Sequence, residues 1–158
     1  MNAVARGLKR WMWVLPLLSL LGCRGQGLPV DLFVEAAGAL GPEAHQDRVK
    51  VVNPVLLSKG NPRLSDRALQ ALRDAGYEVM GGEGEEDPGK ATIYFTVPEA
   101  LGEGRYSLRI YVSLGVRPGN MSRGDSWWQV DLKCDKGCSV QDIRATDAPG
   151  WSRRSSGS

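Results

Sequence analysis

Between Tyr106 and Val116 an apolar side chain stands at every second position: Tyr106, Leu108, Ile110, Val112, Leu114 and Val116. Successive side chains of a strand point to opposite faces, so a period of two gathers all six on one face of an extended chain, whereas a helix would scatter them. The residues between them, among them Arg109, Tyr111 and Ser113, then face the other way. An antiparallel sheet with one buried face and one less buried face satisfies this pattern. Two more segments alternate in the same manner. Ala91, Ile93, Phe95 and Val97 form the inward set of one, with Thr92, Tyr94 and Thr96 outward. Trp128, Val130, Leu132 and Cys134 form the inward set of the other, with Trp127, Gln129 and Asp131 outward.

The remaining segments fill in around these three strands. Asp31 to Ala37 reads as a first strand with Leu32, Val34 and Ala36 on one face, and Gly38 to Gln46 as a loop. Arg48 to Leu57 is rich in β-branched residues, but Asn53-Pro54 interrupts it; proline lacks the ladder donor, so this strand bends there or lies at an edge. The spacing predicts a helix over Asp66 to Ala75, with Ala68, Leu69, Leu72 and Ala75 as its apolar stripe. Ser65 suits the N-cap, Leu64 and Leu69 the two ends of a hydrophobic staple, and Gly76 the left-handed position after the last turn. Tyr77 to Met80 reads as a short strand, residues 81–89 as a flexible acidic loop, and Ser139 to Ala145 as a return strand. Together these predict an α+β domain: an antiparallel sheet of about four to six strands with one helix packed on one face.

The amino terminus carries a different signal. Arg6, Lys9 and Arg10 precede an apolar run from Trp11 to Leu21, which ends in Gly22-Cys23. A basic start, an apolar middle and small residues at a cleavage point are the plan of a secretory signal. Such a run reaches only about 17 Å as a helix, against a hydrocarbon core of about 30 Å, so a permanent span is not expected. Leu20-Leu21-Gly22-Cys23 resembles the lipobox of bacterial lipoprotein precursors. That resemblance implies cleavage after Gly22, lipid (palmitate among it) on Cys23, and attachment to the cell envelope. Arg24 stands where an aspartate would favour inner-membrane retention in the enterobacterial pattern, so the resemblance implies the outer membrane, facing the periplasm. The expected organisation is a signal peptide over 1–22, a lipidated tether over 23–30, a single domain over 31–147 and a flexible tail over 148–158.

Removing the signal also changes the charge. The full chain has 20 Lys and Arg against 18 Asp and Glu, and residues 1–22 contribute three bases and no acid. Seventeen bases then face eighteen acids and the net charge is −1, which gives no support for nucleic-acid binding. Cys134 and Cys138 remain, flanking Asp135-Lys136-Gly137, a sequence suited to a three-residue hairpin loop. In an exported protein such a pair reads first as a disulfide. Zinc needs about two further ligands, and His45 is the only histidine. A redox motif has two intervening residues, not three.

Catalytic chemistry leaves few traces. His45 stands among Glu43, Asp47 and Arg48, in a segment that reads as surface loop. Glu83, Glu85, Glu86 and Asp87 lack the spacing of a calcium loop. Asn120-Met121-Ser122 matches a glycosylation sequon, which the bacterial context discounts. No metal or cofactor is expected. An enzyme would have to assemble a pocket from scattered residues such as His45, Asp47 and Glu99. The outward positions offer more: neighbouring strands would set Tyr94, Tyr111 and Trp127 in a row beside Arg109, and Tyr, Trp and Arg are enriched at binding hot spots. The same row would also arise from cross-strand pairing that only stabilises the sheet.

Two short stretches carry further likenesses. ALQALRDAGYEV followed by ATIYFTV is similar to the helix–Gly-Tyr–strand passage of several small envelope lipoprotein domains. WWQVDLKCDKGCSVQDI resembles the closing hairpin of nuclear-transport-factor-2-like domains, although Cys138 stands near their usual tryptophan and their long first helices are missing. The expected function is therefore a non-enzymatic envelope lipoprotein, held on the membrane through Cys23 and binding an envelope protein or glycan. A structural accessory subunit of an envelope complex is the alternative, and a hydrolytic enzyme stands behind both.

Overall fold

The computed structural model describes residues 27–81, 87, 89–115 and 125–147. The expectations placed on the signal segment, Gly22, Cys23, most of the 81–89 loop, Val116, the sequon at 120–122 and the tail lie outside those residues. In chain order the elements are α1 (Leu32–Gly38), α2 (Pro42–His45), β1 (Val49–Val52), α3 (Asp66–Asp74), β2 (Glu78–Val79), β3 (Lys90–Phe95), β4 (Glu99–Gly102), β5 (Arg105–Ser113), β6 (Ser126–Cys134) and β7 (Cys138–Thr146). The strands form one mixed sheet in the order β2-β1-β3-β5-β6-β7, with β4 paired to the first part of β5.

The segments that alternate in sequence make the antiparallel half. β3, β5, β6 and β7 pair in succession, and their inward positions Ala91, Ile93, Phe95, Leu108, Ile110, Val112, Leu114, Val130 and Leu132 are buried. The helices α1 and α3 cover this face and touch each other. Phe33 of α1 meets Phe95 edge to face, with ring centroids 5.1 Å apart. Helix α3 follows its sequence signals closely. The Ser65 hydroxyl accepts a hydrogen bond from the Ala68 amide, and Gly76 sits at φ +89. The Gly76 amide donates to the Arg73 carbonyl and the Tyr77 amide to the Leu72 carbonyl, which together satisfy two carbonyls left over at the helix end.

Several expectations are corrected. The segment expected as a first strand is helical over Leu32–Gly38: Leu32, Phe33, Ala36 and Ala37 are buried while Val34 is only partly so. Positions 32 and 36 fit both templates, and Phe33 and Ala37 decide for the helix. The supposed loop from 38 to 46 contains α2, where Pro42 occupies the first turn with a fixed φ and no amide to satisfy. The sheet has seven strands and is not wholly antiparallel, since β1 runs parallel to both β2 and β3. Parallel neighbours need a long connection, and α3 supplies it by carrying the chain back between β1 and β2. β1 is therefore not an edge. It stops at Val52, and the Asn53 side chain accepts from the Val55 amide as the chain turns away. Val97 is 47 % exposed, because β3 ends before Pro98 and the alternation stops with it. Thr92, expected outward on an open face, is buried. It pairs with Val51 and Ser113, which are themselves buried.

At the far end of the sheet Cys134 and Cys138 face each other across the β6–β7 turn and are joined by a disulfide. Among the described residues no helix is long and apolar enough to cross a membrane.

Candidate binding face

The sheet face turned away from the helices is organised by register. Tyr94 pairs directly with Tyr111, and Tyr111 with Trp127. Their ring centroids lie 5.7 Å and 5.0 Å apart, with planes inclined by 36° and 32°. The three rings thus form a tilted ladder across β3, β5 and β6, each half-buried. Cross-strand aromatic neighbours at this spacing hold the strands together and still leave ring surface in solvent. One end of the ladder is clamped by Asp125. One carboxylate oxygen accepts from the Tyr111 hydroxyl at 2.6 Å, and the other from the Leu114 amide at 3.1 Å.

Two residues along β5, Arg109 stands exposed. Its backbone is fixed by Thr96, whose amide donates to the Arg109 carbonyl and whose hydroxyl accepts from the Arg109 amide, both at 2.9 Å. Beside it opens a depression of about 380 Å³ lined by Thr96, Val97, Glu99, Ser107 and Gln129, with the partly exposed Leu57 beside them. It exists because β3 breaks at Val97-Pro98 and β4 resumes beside the first part of β5.

A polar network borders the depression. The Ser107 hydroxyl donates to Asp131 Oδ1 at 2.5 Å, and Gln129 Nε2 donates to Ser107 Oγ at 3.0 Å. Arg144 donates to Asp131 Oδ2 at 3.2 Å and also to Asp142. Partial burial pushes the Asp131 carboxyl up, but the hydrogen bonds from Ser107, Gln129 and Arg144 and the guanidinium charge outweigh it and hold the group below its ordinary value. Arg144 is thus committed to two carboxylates. Arg109, by contrast, has no ion pair or side-chain hydrogen bond among the described residues. Its fork of donors is free to receive a carboxylate or phosphate, or to stack on a flat ring.

Register therefore brings Tyr94, Tyr111, Trp127 and Arg109 onto one surface. Other candidates are dispersed. Glu99 lines the depression, whereas His45, at the end of α2, and Asp47, in the connection from α2 to β1, do not. His45 Nδ1 is buried without a hydrogen-bond partner among the described residues. No group of three His, Cys, Asp or Glu side chains gathers there in metal-binding proximity. Sequence reading missed the Asp125 clamp and the Ser107–Gln129–Asp131–Arg144 network. Period two already put Gln129 and Asp131 on this face, but pairing them with Ser107 and Arg144 requires the register of two hairpins.

No family model, curated protein or solved structure matches the chain.

Proposed function

We propose that the chain is a lipid-anchored lipoprotein of the bacterial envelope, on the outer membrane and facing the periplasm, whose sheet face binds an envelope protein or glycan. The observation that carries the binding reading is the Tyr94–Tyr111–Trp127 ladder beside the exposed Arg109 and its depression. Large rings and a free guanidinium on a rigid sheet provide contact area and a directional charge at small entropic cost. The anchor rests on the lipobox-like Leu20-Leu21-Gly22-Cys23.

The experiment is cross-linking of the full chain in living cells, comparing wild type with Trp127→Ala and Tyr111→Ala and using the exposed helix position Gln70→Ala as control. Loss of the cross-linked species in the two aromatic variants, with far-UV circular dichroism unchanged, supports the reading. Cross-links that persist in both remove this face.

A structural accessory subunit joined by strand pairing is the second reading, favoured by β7. This nine-residue strand has no outer neighbour among the described residues. Against it stand the register shift near Asp131 and the Asp142–Arg144 pair, devices that discourage edge-to-edge pairing.

A further inference from the structure

The described fold begins at Gly27, four residues after Cys23, and a groove of about 580 Å³ lies where the chain enters it. Leu28, Phe33, Leu56 and Leu64 give the groove apolar walls, and Arg63 and Arg67 stand among its lining residues. Both arginines are exposed, and neither has an ion pair or side-chain hydrogen bond among the described residues. Leu28 is 42 % exposed and lines the groove together with the buried Phe33. Arg67 lies on the first turn of α3, where the backbone dipole adds positive potential; Asp66, on the same turn, does not line the groove.

We propose that this groove seats the anionic headgroup of a phospholipid in the membrane that carries the chain. The inference rests on lipid at Cys23. Given that anchor, geometry does most of the work. Four residues span at most about 14 Å when fully extended, roughly half the width of a domain this size. The domain cannot turn its Gly27 end away from the headgroups, so the groove is held at the bilayer surface. The two exposed guanidinium groups of Arg63 and Arg67 meet the lipid phosphates there, while Leu28 and the apolar walls meet the region just beneath. Neutral lipid offers the apolar part only, so the docking depends on headgroup charge and weakens with salt.

The test uses the full lipidated chain in vesicles of phosphatidylcholine, with and without phosphatidylglycerol, followed by hydrogen–deuterium exchange over residues 27–33 and 63–68. Slower exchange in both segments is expected only with phosphatidylglycerol, lost at high salt and lost in the Arg63→Glu, Arg67→Glu double variant. Removing the two positive charges alone should weaken surface association roughly thirty-fold. Arg73→Glu, at the other end of α3 and outside the groove, should leave the protection unchanged. Exchange that is equal in the two vesicle types, or a double variant protected as strongly as wild type, overturns the docking. Palmitate label scored on the same protein separates the two readings. Label without the exchange difference overturns the docking alone, whereas no label on Cys23 overturns the anchor and the docking with it.

Discussion

Gly104 shows how tightly single residues are specified. It stands at φ +70, and a Cβ there would lie 2.5 Å from the Cys134 carbonyl oxygen. The same turn is tied across the sheet by the Cys134 amide, which donates to the Gly104 carbonyl at 2.7 Å. Gly104→Ala therefore combines a disfavoured backbone conformation with a backbone clash. It should destabilise the domain by about 1–3 kcal/mol in denaturant titration; an unchanged midpoint would show that the turn relaxes freely. Asp131 makes a second prediction, through pH. Its carboxyl is held below the ordinary value by Ser107, Gln129 and Arg144, so the unfolded chain takes up a proton more readily than the folded one. The stabilisation is complete above the unfolded value of about 3.9 and is lost as pH falls through the lowered folded value. Asp131→Asn should flatten the acid limb of the stability curve below about pH 4, read by fluorescence at a series of pH values. A variant as acid-sensitive as wild type would place the sensitivity elsewhere.

Among the described elements, α3 and the antiparallel strands were legible in the sequence, and residues 31–46 largely were not. The helix announced itself through Ser65, the stripe at Ala68 and Leu72, and Gly76, because caps and periodicity are local signals. Ser65→Ala should cost about 1 kcal/mol of thermal stability through loss of the bond to the Ala68 amide, and a smaller change would mean that packing alone fixes the helix start. The strands β3, β5 and β6 announced themselves because apolar side chains recur at every second position along them, with polar or aromatic ones between. Residues 32–38 span only two turns, too few for period two and period 3.6 to separate while Leu32 and Ala36 fit both. The parallel pairing of β1 was also hidden. A strand of only four residues reads alike whichever way its neighbours run. The candidate face was legible as a set of outward residues, but its ladder depends on β3 and β6 both pairing with β5 in one register, a non-local fact.

At the scale of the whole molecule, the sheet divides the domain into two sides with different tasks. Helices α1 and α3 close one side into the core, and the other carries the aromatic ladder, the exposed Arg109 and a depression made by the break in β3. Under the proposed function, a tether of a few residues from Cys23 keeps that second side within the envelope and close to its partners. Everything about location therefore turns on one sulfur atom. The most direct measurement is incorporation of labelled palmitate by the full chain expressed in a bacterial host, compared with Cys23→Ser. Label in wild type and none in Cys23→Ser is the predicted result; label that persists in Cys23→Ser would contradict the anchor.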